Sequence, residues 1–201
     1  MRQILGGIYP VMGETVPPVR QRLPRSVVLV GMMGSGKTAI GRAIAARLGA
    51  DIRDSDAEIV EAAQQTIAEI FERYGEEFFR SAETKVIARL LVGPPCILST
   101  GGGAWLAEEN RARLTEAATV VWLEADLELL WSRVRHKSHR PLLQTDDPKA
   151  SLTEILNARS NVYALAPNKV HVMPGWSIEE TADHVMAVLR ATGTVTKDPA
   201  P

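Results

Sequence analysis

Short apolar runs alternate along this chain with longer amphipathic segments. Four runs rich in β-branched residues are typical of buried strands, and they lie at 26–30, 96–100, 119–125 and 169–173. The segment ADIRDSD at 50–56 predicts a further short strand that ends in acidic residues. Because the predicted strands alternate with helices, the pattern predicts an α/β fold with three layers, in which a parallel sheet lies between two layers of helices.

The segments between the strands carry the signals of helix ends. Apolar residues recur every four positions over 40–48, and Gly49 is placed to end that helix. Three Ser/Thr-x-x-Glu sequences have the spacing of a capping box, and they predict helices that start at 66–69, 151–154 and 177–180. Further helices are predicted over 76–91, 107–117 and 127–135.

The predicted elements fit one domain over residues 26–190, since a chain of 201 residues is long enough to bury a single core. Residues 1–25 have no long apolar stretch, which predicts a flexible N-terminal extension rather than a signal peptide. Residues 191–201 predict a flexible tail. The loop at 136–148 is long, polar and broken by prolines, and loops of this length are often mobile lids.

The charge balance and the single cysteine limit the classes of function. The chain holds 23 Lys and Arg against 24 Asp and Glu, a net charge of −1, which argues against a nucleic-acid binder. Cys96 has no second cysteine with which to form an internal disulfide, so we expect a cytoplasmic protein. No apolar run approaches the ~18 residues of a membrane-spanning helix, so we expect no membrane partner, and a monomer is the expected state.

The sequence GMMGSGKT at 31–38 matches the pattern G-x-x-x-x-G-K-[ST] of phosphate-binding loops. Its glycines allow backbone N–H groups to face phosphates, and the helix that follows adds positive potential at its N-terminus. Lys37 is placed to reach the β- and γ-phosphates, and the Thr38 hydroxyl is placed to bind Mg²⁺. The strand before and the helix after are the context that the motif requires. The sequence therefore predicts a site for a nucleoside triphosphate.

Two acids, Asp54 and Asp56, end the second predicted strand. On an extended segment their side chains point to the same side, so that one holds Mg²⁺ through water and the other binds a substrate hydroxyl or accepts its proton. The spacing fits equally well a solvated turn in which Asp56 caps the next helix. Ligands in parallel sheets bind beyond the carboxyl ends of the strands, which is where these acids lie.

Arg80 and Glu83 lie three positions apart on a predicted helix and are able to pair. The pair is either a surface salt bridge or an arginine held rigid so that it grips a carboxylate. Three successive glycines, Gly101 to Gly103, end the third buried strand. Such a run suggests a ligand pressed against the backbone, where any side chain would collide with it.

Two further arginines remain open to a functional and a structural interpretation. Arg140 lies in the predicted lid beside a proline, and Arg159 lies on the helix that follows. Arg140 is either a solvent-facing residue or a lid arginine that closes on the transferred phosphoryl group, where charge develops. The four histidines are scattered along the chain and predict no metal site.

In this order, the motifs resemble the shikimate kinase family. The likeness covers residues 26–190 and rests on GMMGSGKT, DSD, IAEIFERYGEEFFRSAE, STGGGA, HRPLLQ and an Arg followed by Tyr in ARSNVY. The resemblance implies a nucleoside-monophosphate-kinase-like fold with a five-stranded parallel sheet in the order 2-3-1-4-5. It also implies transfer of the γ-phosphate of ATP to the 3-hydroxyl of shikimate in aromatic amino-acid biosynthesis.

The resemblance further implies a role for each matching residue. The implied catalytic residues are Lys37, Asp56 and Arg140. The implied ATP-binding residues are Gly34, Ser35, Gly36, Lys37, Thr38, Ala39, Arg133 and Arg140. The implied shikimate-binding residues are Asp56, Arg80, Gly101, Gly102, Gly103 and Arg159, with Glu83 orienting Arg80. The implied Mg²⁺-binding residues are Thr38 and, through water, Asp54.

The chain departs from the family pattern in three places, one of which is Pro167, which follows YALA where many relatives carry an acid. Asn161 stands where a proline is expected, so the clamp formed by Arg159 is expected to be less rigid. Trp176 stands where some relatives have a polar contact to adenine, and it either stacks on the base or is a surface tryptophan.

The phosphate loop is also consistent with two other functions. One is a kinase for a different small molecule, resembling gluconate kinase, which has no need of GGG, Arg80 and Arg159 in this order. The other is a nucleotide-binding module that has lost phosphoryl transfer, and it would bind ATP without releasing ADP when substrate is added.

Overall fold

The computed structural model describes residues 23–136 and 141–195. Its sheet has five strands in the order β2-β3-β1-β4-β5, and every neighbouring pair is parallel, which confirms the predicted architecture. The strands are β1 Ser26–Val30, β2 Ile52–Asp54, β3 Ile97–Ser99, β4 Ala118–Glu124 and β5 Asn168–His171. All five residues of the central strand β1 are buried, so both faces of the sheet are covered.

The helices of the described residues surround this sheet. They are α1 Lys37–Leu48, α2 Ser55–Ala63, α3 Ile67–Val92, α4 Glu108–Ala117, α5 Leu127–Val134, α6 Pro148–Tyr163 and α7 Ile178–Ala191. Short 3-10 turns occupy Ala104–Leu106 and Pro141–Leu143. None of the helices described is both long and apolar enough to cross a membrane. Leu23 and Val195 are buried in the main core, so the packed body includes both of these residues.

Helix α6 begins earlier than its sequence predicts, so the capping box predicted at 151–154 is wrong. The helix starts at Pro148, and the side chain of Asp147 caps it by accepting a hydrogen bond of 3.0 Å from the N–H of Ala150. Ser151 lies inside the helix, where its hydroxyl lies 2.7 Å from that of Thr145. An acidic cap followed by proline at the first helical position specifies a helix start more strongly than the later Ser and Glu do.

The two acids after β2 do not share an extended segment, so that prediction is wrong, although both acids line one cavity. The strand ends at Asp54, and α2 begins with the next residue. Asp54 is the N-cap, and its Oδ1 accepts hydrogen bonds from the N–H groups of Asp56 at 3.1 Å and Ala57 at 3.4 Å. Asp56 therefore lies in the first turn of α2, and the alternative in which Asp56 caps the next helix is also wrong, because Asp54 is the cap.

Helix α3 has two arms that meet at Gly75. This glycine has φ 80° and ψ 173°, which no helical residue adopts, and the arm after it matches the helix predicted from residue 76. The capping box at the start of the first arm is confirmed, because Thr66 and Glu69 bond reciprocally. Beneath α2 and α3 lies a hydrophobic cluster separate from the main core, formed by Ile59, Ile70, Phe79 and Val86.

Candidate functional site

The phosphate loop connects β1 to α1 with three glycines in positive-φ conformations. They are Gly31, Gly34 and Gly36, with φ of 142°, 84° and 100°. At Gly31 a β-carbon would also lie 2.6 Å from the carbonyl oxygen of Leu123, so close approach of the backbone excludes a side chain as well. The glycines predicted from the motif are therefore required by the geometry of the loop.

Lys37 is folded back onto its own loop. Its Nζ donates hydrogen bonds to the carbonyl oxygens of Gly31 at 2.8 Å and Met32 at 2.9 Å, and its side chain is buried. Ser35 is fully buried, and among the described residues its hydroxyl has no hydrogen-bond partner. A buried polar group without a partner is costly unless a ligand satisfies it, so this loop fits a bound phosphate.

A cluster of oxygen atoms lies where β1, β2 and β3 end. Thr38 Oγ1 donates a 2.9 Å hydrogen bond to Asp54 Oδ2 and lies 3.1 Å from Ser99 Oγ. Sequence analysis missed Ser99; the available signal was its position at the end of β3, the strand that pairs with β1. Hydroxyl and carboxylate oxygens are the ligands that Mg²⁺ prefers, so the cluster fits a magnesium ion.

A cavity of about 500 Å³ extends from the phosphate loop toward the N-terminus of α7. It is lined by Gly34, Gly36, Lys37, Thr38, Ala39 and Arg133, all of which the resemblance implies for ATP. Arg133 donates to the carbonyl oxygen of Gly34 at 3.2 Å, and burial lowers the pKa of its guanidinium. Ser177, Ile178 and Thr181 close the far end. Trp176 stacks on the ring of His184, with 4.0 Å between centroids, and is not part of the cavity wall.

A second cavity of about 450 Å³ lies against α2, α3 and the turn formed by Gly101 to Gly103, the glycine turn. Its charged wall is formed by Asp56, Arg80, Glu83 and Arg159. Its apolar wall is formed by Val60, Ile67, Ala68, Phe71 and Phe79. A small cavity with one apolar side and converging charged groups fits a compact ionised molecule.

Arg80 is held by two carboxylates in this second cavity. Its Nη1 donates to Glu83 Oε2 at 2.8 Å and its Nη2 to Glu76 Oε1 at 3.0 Å. Glu83 is only 1% exposed, so the pair is not the surface salt bridge that was one of the two interpretations. Burial raises the pKa of Glu83, while the charge of Arg80 acts in the opposite direction. The arginine is thus oriented by Glu83, as the resemblance implies.

The glycine turn is crowded by the protein's own charged side chains. A β-carbon at Gly101 would lie 2.5 Å from Asp56 Oδ1 and 2.7 Å from Glu83 Oε1, and one at Gly103 would collide with the Arg80 guanidinium. At Gly102 the nearest atom would be 3.6 Å away, an ordinary contact. The expectation that a ligand alone excludes these side chains is therefore corrected, because charged groups of the site itself exclude them at Gly101 and Gly103.

Arg159 reaches the same turn from α6. Its Nη1 donates to the carbonyl oxygen of Gly102 at 3.3 Å, and the hydroxyl of Tyr163 donates to the same oxygen. Tyr163 is almost completely buried, and burial raises its pKa to about 12. The structure therefore brings Arg159 into the wall of the same cavity as Arg80, which the sequence alone left open.

The two cavities meet along a shared wall. Met33, Asp56, Gly101 and Gly102 line both of them. Arg140 lies outside the described residues, so its predicted place in the site stays a prediction. Leu142 and Gln144, which follow it in the chain, border the second cavity. A phosphate in the first cavity and an acceptor in the second would therefore meet beside Asp56.

Comparisons with known proteins agree with this arrangement. Residues 33–190 match the family model described as shikimate kinase. A shikimate kinase of Ruegeria pomeroyi is 57% identical over 88% of this chain and 90% of its own length. The solved structure of a shikimate kinase from Acinetobacter baumannii in complex with shikimate is 35% identical, with a TM-score of 0.80 over 84% of this chain and 94% of that one.

A gluconokinase structure from Sinorhizobium meliloti is also similar, but more distantly. It is 18% identical, with a TM-score of 0.57 over 85% of this chain and 94% of that one, a likeness that shows a shared fold alone. The family model, by contrast, covers all the residues that line both cavities, from Met33 to Thr181. The chain belongs to the shikimate kinase family.

Proposed function

We propose that this protein transfers the γ-phosphate of ATP to the 3-hydroxyl of shikimate, giving shikimate 3-phosphate and ADP. The observation that carries the proposal is the wall shared by the two cavities. Asp56 lies in that wall, so a hydroxyl bound by Asp56 in one cavity faces a phosphate held in the other. Members of the family use ATP as the phosphoryl donor in aromatic amino-acid biosynthesis, and we infer the same step here.

The second cavity fits an acceptor that is both a carboxylic acid and an alcohol. Arg80 and Arg159 approach the glycine turn from two helices, so two guanidinium groups face one carboxylate. A planar guanidinium pairs with a carboxylate through two parallel hydrogen bonds, which makes such a clamp selective for acids. Asp56 then hydrogen-bonds the hydroxyl of the acceptor, and the apolar wall contacts the carbon ring of shikimate. The Acinetobacter baumannii relative was solved with shikimate.

The chemistry depends mainly on position and charge. Asp56 accepts a hydrogen bond from the acceptor hydroxyl and takes its proton as the new O–P bond forms and the bond to the β-phosphate oxygen breaks. Lys37 exchanges its two loop carbonyls for phosphate oxygens, and Arg140 is proposed to close over the transferred group. Thr38 and Asp54 would hold Mg²⁺, with Ser99 beside them. When bound, the ion neutralises charge on the phosphates.

Shikimate-dependent ADP release tests the proposal directly. Purified protein with Mg²⁺ and ATP is assayed with shikimate and, separately, with gluconate, and ADP is measured by a coupled assay. Turnover with shikimate and none with gluconate is the expected result. Equal turnover of the two substrates would contradict the shikimate assignment, and ATP binding without turnover would favour a module that has lost phosphoryl transfer. Gel filtration in the same buffer tests the proposed monomer.

A further inference from the structure

Two hydrogen bonds join the end of α6 to the glycine turn. The carbonyl oxygen of Gly102 accepts from Arg159 Nη1 and from the hydroxyl of Tyr163. Arg159 and Tyr163 therefore share one acceptor, and a carbonyl oxygen can accept both bonds because it has two lone pairs. Burial raises the pKa of the Tyr163 hydroxyl, and the nearby charge of Arg159 acts in the opposite direction.

We propose that Tyr163 is a positioning residue for substrate binding, which fixes Arg159 and the peptide after Gly102 in the orientation that receives the substrate carboxylate. The inference rests on the function proposed above. In this chain Asn161 stands where the family pattern has a proline. Tyr163 would then be what holds Arg159 in place. Tyr163 acts through Arg159 and the turn, and its own hydroxyl does not line the nucleotide cavity.

The surroundings of Tyr163 make it a rigid support. Its ring is 1% exposed and stacks on Trp122 of β4, with centroids 6.0 Å apart and planes inclined by 13°. One residue earlier, the carbonyl oxygen of Val162 accepts a 2.9 Å bond from Trp105 Nε1, so the end of α6 is also tied to the 3-10 turn after the glycines. Because burial raises its pKa to about 12, the phenol keeps its proton at neutral pH.

The bond to Gly102 also sets the direction of a donor. The peptide that joins Gly102 to Gly103 is planar and trans, so its N–H points opposite to its C=O. With the oxygen directed toward α6, the N–H of Gly103 is directed away from α6, on a turn that lines the second cavity. Loss of the Tyr163 hydroxyl would free Arg159 and this peptide to rotate, while leaving the phosphate loop as it is.

The substitution Tyr163→Phe tests this inference, with Tyr74→Phe as the matched control. Both variants remove one phenol hydroxyl, but Tyr74 is exposed on α3 and lines neither cavity. For Tyr163→Phe we expect KM for shikimate to rise about 3- to 10-fold, as for the loss of one or two buried hydrogen bonds. KM for ATP stays close to that of the control, while the melting temperature falls by about 2–4 °C, because the buried hydrogen bond also stabilises the unliganded protein by about 1 kcal/mol. An unchanged KM for shikimate, or an equal rise in both KM values, would overturn the inference.

A double-mutant cycle separates positioning from packing. If Tyr163 acts through Arg159, Tyr163→Phe adds little to the KM for shikimate of an Arg159→Ala variant, whereas an independent packing effect adds in full. Hydrogen exchange of unliganded protein supplies a readout without substrate: residues 100–106 should exchange faster in Tyr163→Phe than in Tyr74→Phe. Faster exchange in Tyr163→Phe, combined with a wild-type protein that does not phosphorylate shikimate, would refute the proposed function and retain the role of Tyr163 in holding the turn. Unchanged exchange of residues 100–106 in Tyr163→Phe would refute the inference that Tyr163 holds the glycine turn.

Discussion

The crowding at Gly101 predicts that a single methyl group will impair catalysis. In Gly101→Ala the new β-carbon would lie 2.5 Å from Asp56 Oδ1, whereas an ordinary contact is 3.4 Å or more, so the carboxylate must retreat by about 1 Å. The turn itself is held, because the N–H of Gly101 donates to the buried Ser55 hydroxyl at 3.0 Å. Glu83 on the other side is buried as well. Asp56 therefore takes most of the displacement.

Two quantities follow from this displacement. A misplacement of about 1 Å in a reacting group costs roughly 100-fold in rate, so we expect kcat for shikimate to fall by about that factor. Overpacking of a filled site costs about 1–3 kcal/mol of the free energy of unfolding. For a domain of this size that corresponds to a melting temperature lower by about 2–12 °C. Affinity for ATP should not change, since the phosphate loop is not displaced.

Steady-state kinetics, ATP titration and thermal melting measure these effects on one preparation. Gly102→Ala is the control for crowding, because its β-carbon would meet no atom closer than 3.6 Å. Its stability should stay within about 0.5 kcal/mol of the wild type. A kcat for Gly101→Ala within about threefold of wild type, or equal destabilisation by the two substitutions, would refute the steric reasoning.

Three other changes test separate parts of the site. Arg80→Ala should raise KM for shikimate by roughly 10- to 100-fold while ATP affinity is kept, because it removes a charged partner of the carboxylate; lost ATP binding would contradict this placement. Lys37→Met should lower kcat by roughly 100-fold or more in a protein that still folds, and near-normal turnover would refute its phosphate role. Since burial raises the pKa of Glu83 above 4.5, the folded protein binds this proton more tightly than the unfolded chain. Its contribution to stability should fall as pH rises from 4.5 through the raised pKa, and Glu83→Gln should remove that slope from denaturation curves; identical slopes would contradict it.

The sheet and the phosphate loop were predictable because each depends on a local pattern. The buried run at 26–30 and the glycines that follow specify β1 and the loop without help from distant residues. The role of Asp54 as a helix cap was not predictable, because strand and cap signals overlap within three residues and tertiary packing decides between them. The same holds for α6, where two capping signals compete within five residues.

The acceptor side of the site was predictable only in part. Spacing showed that Arg80 and Glu83 are able to pair, but burial of Glu83 is what distinguishes a clamp from a surface salt bridge. Burial depends on how α3 packs on α2 and on the glycine turn, which no local pattern contains. The sequence did not single out Ser99 or Tyr163 for the same reason, because each meets its partners only in the assembled fold.

The separate hydrophobic cluster under α2 and α3 divides the stability of the molecule into two unequal parts. Its four buried side chains hold α2 and the first arm of α3, whereas the second arm also packs into the main core through Ile87, and the phosphate loop is anchored in that core. A structural unit with so few buried contacts opens at a lower free energy than the whole domain unfolds. An amide in the first arm of α3 should thus exchange with solvent through partial opening while β1 remains protected. At low denaturant concentration the protein would then stop binding shikimate while it still binds nucleotide. Substrate binding would therefore be lost before the whole domain unfolds.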